Sequence, residues 1–330
     1  MAKKKKKNAV QAAQLAANQL FERLQQLTEE GDPGERSVQA WRTLRQAASS
    51  EDFQVGLDFA LEHDLAPAES ITPLRNGPHT RTMWENPRDG SQMVWIPPGP
   101  YVVGKKNQPA HNPQGFFLAR HPVTNAQFAR FVEATGYTNT EPSADFGELL
   151  KHWTKTGYPA KKANHPVVWV SYLDAIAYCR WAGLDLPTEW LWEKAARGED
   201  GQPFPWGSGN SLDSTKRAAR VSAKSTQEVG KNSQIRTPYG CEDLIGNVSE
   251  WCHPGETETT AEYGKFPPPA WIAQQQKTPG EAAVRGSCFL RTGLSRMVAA
   301  HRRRLSARRR NQWVGFRPAF YPAAGMEPAE

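Results

Sequence analysis

The chain has 330 residues, 38% of them hydrophobic, with 12 Trp, 13 Phe and a formal net charge of +7. That apolar and aromatic content excludes a disordered tail or linker protein and is enough to bury one large domain or two modest ones. No stretch approaches the ~20 consecutive apolar residues of a membrane span, and the four cysteines show neither paired CxxC spacing nor the density of a secreted disulfide framework; a cytoplasmic protein with reduced thiols and no membrane partner is expected.

Lys3 to Lys7 form a basic arm, read as a solubilising tail. From Asn8 to Leu27 helix-forming residues predominate, with Leu20, Leu24 and Leu27 at helical spacing, and Gly31, Asp32, Pro33 and Gly34 end the pattern. Two shorter amphipathic segments follow, one with Val38, Trp41 and Leu44 and one with Val55, Leu57, Phe59 and Leu61. The composition changes between Pro67 and Pro78. Residues 1–78 thus read as a lysine-rich tail and small helical region suited to docking a partner, and 79–92 as a linker.

A different grammar starts at Met93. The apolar run Met93-Val94-Trp95-Ile96, closed by Pro97-Pro98-Gly99, predicts a strand, as does Phe116-Phe117-Leu118-Ala119. Three hydroxyl residues then predict helix starts: Thr124 before Phe128, Phe131 and Val132; Ser171 before Ala175, Ile176 and Cys179; Thr188 before Leu191, Trp192 and Ala195. Beyond Arg197 the chain is rich in Gly, Pro, Ser and Asn. A long irregular stretch in a compact domain is ordered by something, such as a metal ion, or serves as a functional surface.

Eight stretches, in order across residues 90–322, carry a resemblance. They are Met93 to Gly99; His121-Pro122-Val123-Thr124-Asn125; His165-Pro166-Val167-Val168-Trp169-Val170-Ser171; Leu186-Pro187-Thr188-Glu189-Trp190 running to Ala195-Ala196-Arg197-Gly198; Pro205-Trp206-Gly207; Gly246-Asn247-Val248-Ser249-Glu250-Trp251; Arg285-Gly286-Ser287; and Gly315-Phe316-Arg317. Together they resemble the formylglycine-generating enzymes of the sulfatase-modifying factor family. The resemblance implies an α+β, C-type-lectin-like fold: a mixed, twisted antiparallel sheet with flanking helices and much irregular backbone. It places the domain at 93–322, leaving 323–330 as a tail.

The family's oxidase converts a protein cysteine to formylglycine with copper held by two thiolates, soft ligands that suit Cu(I). By resemblance those ligand positions fall on Leu290 and Ser295, and neither can hold copper. Ser249 stands where the family has a cleft tryptophan, and Cys288 where it usually has an aromatic residue. Ser287 matches an active-site serine, although a serine in a Gly-Ser turn is commonly structural. Cys288 and Ser287 are therefore the residual catalytic candidates, and copper is not expected. The alternative is a formylglycine-type oxidoreductase acting on a protein cysteine through Cys288 and a second thiol such as Cys252.

The resemblance also implies one structural Ca²⁺, held by the side chains of Asp243 and Glu250 and the carbonyls of Gly246 and Val248; such a mixture of oxygens suits a hard cation. The asparagine of the family's other calcium site falls on Arg220. In the C-terminal segment it implies buried carboxylate pairings for arginines at the places of Arg296, Arg302 and Arg317. Arg303, Arg304, Arg308, Arg309 and Arg310 are then surplus, available to an anionic ligand or protein partner because guanidinium forks match carboxylate and phosphate.

The scaffold is also similar to the variable proteins of diversity-generating retroelements, whose binding residues lie in the equivalent segment. That likeness implies a binding surface of Phe289, Arg291, Leu294, His301, Arg303 and Trp313. His121, His165 and His301 read as structural or surface residues, and no recognised module accompanies the positive charge, so nucleic acid is not an expected partner. The sequence as a whole reads as a non-oxidase ligand- or protein-binding module.

Overall fold

Short apolar runs bounded by Pro and Gly become strands. The computed structural model describes residues 83–112, 115–138, 147–205, 223–231, 236–255, 280–290 and 297–321. The helical region expected within 1–78 lies outside them, as do Arg220, Arg291, Leu294, Ser295 and Arg296.

Strands β1 (Met83–Glu85), β2 (Gln92–Ile96), β5 (Phe116–Ala119) and β10 (Ala319–Phe320) form a four-stranded antiparallel sheet in the order β1-β2-β5-β10. The hairpin β3 (Gly99–Val103) and β4 (Gln108–Asn112) stands apart. A second four-stranded sheet has the order β8-β7-β6-β9, from β6 (Ser249–Cys252), β7 (Glu281–Arg285), β8 (Arg302–Ser306) and β9 (Val314–Phe316). Its β6–β9 pair is parallel and the others antiparallel. The result is the mixed α+β architecture expected.

Residues 83–92, within the span read as a linker, are packed into the domain. Trp84 on β1 is 1% exposed and packs on Phe117 and Phe320, with ring centroids 6.1 and 5.2 Å away. Asp89 is buried, accepting from Ser91 Oγ at 2.7 Å and Tyr178 OH at 2.6 Å, and Asn86 Nδ2 donates to Ala182 O at 3.0 Å. A three-residue strand has too little local pattern to be read without its partner strand.

The helices begin where the hydroxyls predict. Thr124 caps α1 (Asn125–Thr135) and Ser171 caps α2 (Tyr172–Ala182), each in a reciprocal capping box, with Gln127 and Asp174 respectively. Thr188 caps α3 (Glu189–Arg197) by accepting from Leu191 N. Each cap contributes about 1 kcal/mol. Asn125 then ties α1 down: its Oδ1 accepts from His152 Nε2 and Trp153 Nε1, both at 3.0 Å, and its Nδ2 donates to the carbonyls of Lys162 and His165.

Helix α3 is buried on every side, charges included. Glu193 accepts from Arg197 at 2.8 Å, Gly104 N at 2.8 Å and Arg285. Lys194 donates to Pro97 O at 2.6 Å and to Asn112, and burial pulls its ammonium down to about 8. The main core lies between the helix and both sheets: Val94, Ile96, Phe116 and Leu118 meet Leu191, Trp192, Leu244, Cys252 and Ala283. Each such side chain buried contributes roughly 1.5–3 kcal/mol.

Candidate functional site

Residues 243–250 form a curled loop entering β6, with Asp243, Gly246 and Asn247 all at positive φ (57°, 91° and 56°). The turn at Gly286 clasps it. Gly286 has φ +72°, and a Cβ there would lie 2.6 Å from Leu244 O, so the Gly of the Gly-Ser motif is required by close backbone approach. Gly246 N donates to Ser287 O at 3.1 Å, and Phe289 N to Asn247 O at 3.0 Å. Asn247 also holds a third segment, accepting from Gln227 N at 3.1 Å and donating to Gln227 O at 3.3 Å.

Where these segments meet, several buried polar atoms find no hydrogen-bond partner among the described residues: Ser287 Oγ, Asp243 Oδ2, and both Oε1 and Nε2 of Gln227. Leaving such groups unmet costs about 1–3 kcal/mol each, so the cluster is a place that invites water or a ligand. Gln227 was not legible beforehand, since it sits in the Ser- and Gly-rich stretch without any motif.

The four calcium-expected residues are all buried in this loop. Glu250, however, is engaged: Arg317 donates from Nε to Oε2 (2.7 Å) and from Nη2 to Oε1 (2.8 Å), and Trp192 Nε1 donates to Oε2 (2.7 Å). Three of the carboxylate's roughly four lone-pair positions are taken. Asp243 fits better, with one carboxylate oxygen unclaimed, and burial raises its pKa despite nearby His121 and Arg317. Among the described residues no group of three or more His, Cys, Asp or Glu side chains converges for a metal.

Copper held as the resemblance implies would need thiolate ligands, so the placement of the thiols bears on it. The four cysteines are all buried and in no disulfide. Cys252 lies in the apolar core, where burial pushes its thiol well above the ordinary value, and burial pushes Cys241 up to about 11. Burial thus disfavours the thiolate form that binds a soft metal. Leu290, at the first expected copper position, is 44% exposed.

The C-terminal segment departs from expectation at three residues, Phe289, Arg310 and Arg302. Phe289 is not solvent-facing: it is 3% exposed and held by backbone bonds on both sides, donating to Asn247 O and accepting from Ala223 N at 2.9 Å. Arg310 is not surplus but 4% exposed, with Nε 2.7 Å and Nη2 3.1 Å from the Asp174 carboxylate. That carboxylate, 136 positions earlier, is supplied by the cap of α2. Arg317 is buried as the resemblance implied, whereas Arg302 is exposed and lies 3.9 Å from Glu189. Arg304 reaches Glu189 Oε1 at 2.5 Å. His301 is half-buried, and Arg303 stacks over the half-buried Trp313 ring with its guanidinium 5.5 Å from the centroid. Another unexpected chain runs beneath: the buried His253 links Tyr172 OH (2.6 Å to Nδ1) to Asp185 (2.8 Å from Nε2).

The family model of the Sulfatase-modifying factor enzyme 1-like domain matches residues 79–320. The chain belongs to the sulfatase-modifying factor family. It is 33% identical over 223 residues to the formylglycine-generating enzyme of Mycobacterium tuberculosis, covering 49% of this chain and 73% of that protein. It is also 32% identical over 249 residues to the serine/threonine-protein kinase Pkn1 of Chlamydia trachomatis, covering 69% of this chain but only 38% of that protein. Among solved structures, PvdO from Pseudomonas aeruginosa matches with a TM-score of 0.57 and 19% identity, over 73% of this chain and 98% of that one. Treponema denticola variable protein 1 matches with a TM-score of 0.53 and 19% identity, over 74% and 100%. These two likenesses carry the fold.

Proposed function

We propose that this member of the sulfatase-modifying factor family is a binding module and not an oxidase, and that its C-terminal segment recognises a protein or anionic ligand. The observation that carries this reading is the pair of features at the would-be copper site: an exposed Leu290 where a thiolate is needed, and buried thiols elsewhere. Cu(I) oxidation of a cysteine requires two sulfur ligands in reach of substrate, and a leucine supplies an apolar contact for a partner instead. A structural Ca²⁺ belongs to the proposal, held by Asp243 and the carbonyls of Gly246 and Val248, with Glu250 lending its remaining lone pair. The residues expected to form the N-terminal helical region are assigned a docking role.

The reading predicts that the reduced, purified protein takes up no stoichiometric Cu(I) and leaves the cysteine of a sulfatase-motif peptide unchanged in mass. Copper-dependent conversion of that cysteine to an aldehyde, lost in Cys288→Ser, would establish the oxidoreductase alternative instead.

A cytoplasmic location belongs to the same proposal. No helix among the described residues is long and apolar enough to cross a membrane.

A further inference from the structure

Residues 223–231 lie across the candidate site as a strap. Ala223 N donates to Phe289 O and Val229 N to Asn164 O, both at 2.9 Å, and Thr226 Oγ1 stands 3.0 Å from His165 Nδ1. Within the strap Gln227 alone is buried; its other residues are exposed or half-exposed. An apolar side chain would anchor such a segment most stably, because a polar one covered without a partner gives up its bonds to water and gains none. Here the anchor is a carboxamide, and neither its Oε1 nor its Nε2 meets a partner among the described residues.

The backbone of Gln227 is by contrast fully engaged. Asn247 takes both of its groups, Oδ1 accepting from Gln227 N at 3.1 Å and Nδ2 donating to Gln227 O at 3.3 Å. Asn247 is 1% exposed and set at φ +56°, and its own carbonyl accepts from Phe289 N at 3.0 Å. One position earlier, Gly246 N donates to Ser287 O at 3.1 Å, and the buried Ser287 hydroxyl is also unmet. Two consecutive residues of the loop thus hold, from two separate segments, an open carboxamide and an open hydroxyl. Buried polar side chains left open at one place call for a ligand with hydrogen-bonding groups of its own.

The carboxamide narrows the choice. Its edge presents one donor and one acceptor side by side, so the complement carries an acceptor and a donor on one edge and no charge. A carboxylate supplies acceptors alone and an ammonium donors alone; each leaves one atom of Gln227 unmet and loses its own hydration. A trans peptide group points its C=O and N–H to opposite sides, and so reaches only one of the two. A primary carboxamide has both on one edge. It closes two N–H···O bonds with Gln227 in a ring and keeps a second N–H for the Ser287 hydroxyl.

We propose that Gln227, with Ser287, receives a primary carboxamide beneath the strap, borne by an Asn or Gln side chain of a protein partner or by a free small molecule. The ties at Ala223, Thr226 and Val229 open to admit the ligand and re-form over it. The proposal rests on the binding reading above and names the group that the site selects.

The test follows the side-chain amide protons of Gln227 by NMR in the full, isotope-labelled chain, with propionamide, propionate, butanone and adenine as probes. Propionamide is expected to shift these resonances and to bind at least about tenfold tighter than propionate or butanone, each of which lacks half of the pairing. Gln227→Met keeps the length of the side chain and removes both open atoms, so its melting temperature should hold or rise while the preference for propionamide disappears. Should that variant fail to fold, Ser287→Ala takes its place, with propionamide affinity expected to fall at least about threefold. A pentapeptide with a central Gln that binds tighter than propionamide, and tighter than the same peptide with Met, makes the ligand a protein side chain; propionamide binding without that gain makes it a free small molecule. Unmoved Gln227 resonances, equal binding of propionate, or an unchanged preference in the variants overturns the proposal. Tighter binding of adenine, whose edge also sets a donor beside an acceptor, gives the site to a nucleobase instead. If propionamide fails while the copper assay on the same preparation stays negative, the carboxamide falls and the binding module stands; copper-dependent conversion removes both.

Discussion

The guanidinium of Arg317 lies flat against the carboxylate of Glu250, and all five of its N–H groups are used: two on Glu250, one each on the carbonyls of Ala119, Arg120 and Glu242. Both side chains are fully buried. A single cation thereby joins β6, the end of β5 and the segment after β9. Removing one partner leaves an uncompensated buried charge, so Arg317→Leu or Glu250→Gln should cost about 3–5 kcal/mol, read from urea unfolding midpoints. A loss under about 1 kcal/mol would show the pair to be incidental.

Acid should weaken the fold before the carboxylates titrate. Burial, reinforced by Lys162, holds His152 down at about 4, and burial lowers His165 as well. The unfolded chain binds these protons near pH 6.5, the folded one only at lower pH, so stability falls as the pH drops from about 6.5 towards 4. His152→Gln keeps a donor for Asn125 without the titration. Its melting temperature should decline less steeply over that window than the wild type's, and parallel curves would contradict the assignment.

Below pH 4.5 a second loss sets in. Burial would raise the Glu242 carboxyl, but hydrogen bonds and charge from His121 and Arg120 outweigh it and hold the group at about 2. Its stabilisation is complete above about 4.5 and fades as the pH falls through 2. Glu242→Gln should remove that part of the acid transition and lower stability at neutral pH, as followed by circular dichroism.

Thiol chemistry gives a direct check on the core. All four cysteines are buried, so a chromogenic disulfide reagent should label none of them rapidly in the native protein and all four in guanidinium. Prompt labelling of Cys288 alone would mean that the turn after Ser287 opens in solution.

For calcium, the expected outcome is a melting temperature higher in millimolar CaCl₂ than in EDTA, corresponding to about 2–3 kcal/mol at a hundredfold excess over Kd. Asp243→Asn should abolish the difference. Superimposable wild-type curves would remove the ion from the proposal.

How much of this was legible follows from how far apart the interacting residues are. The caps at Thr124, Ser171 and Thr188 are local events, decided within four residues, and they stand where the sequence places them. Strands β2 and β5 announce themselves by their own apolar runs. By contrast, Arg310 reads as one of a charged cluster because its carboxylate, Asp174, belongs to a helix cap far upstream, and β1 reads as linker because its partner is another strand. Phe289 is buried by the loop at Asn247, which nothing in its neighbours foretells. The unmet carboxamide of Gln227 becomes visible only once 223–231, 243–250 and 286–289 are brought together.

Residues 314–320 complete both sheets, β9 pairing with β6 in one and β10 with β5 in the other. During synthesis, therefore, neither sheet can close until this stretch has cleared the ribosomal exit tunnel. Until then the apolar faces of β5 and β6 stay without their last neighbours, and the nascent domain depends on chaperone shelter to avoid pairing with another chain. A codon change that slows translation just before residue 314 would lengthen that exposed interval, and a frameshift there would deprive both halves of the domain at once.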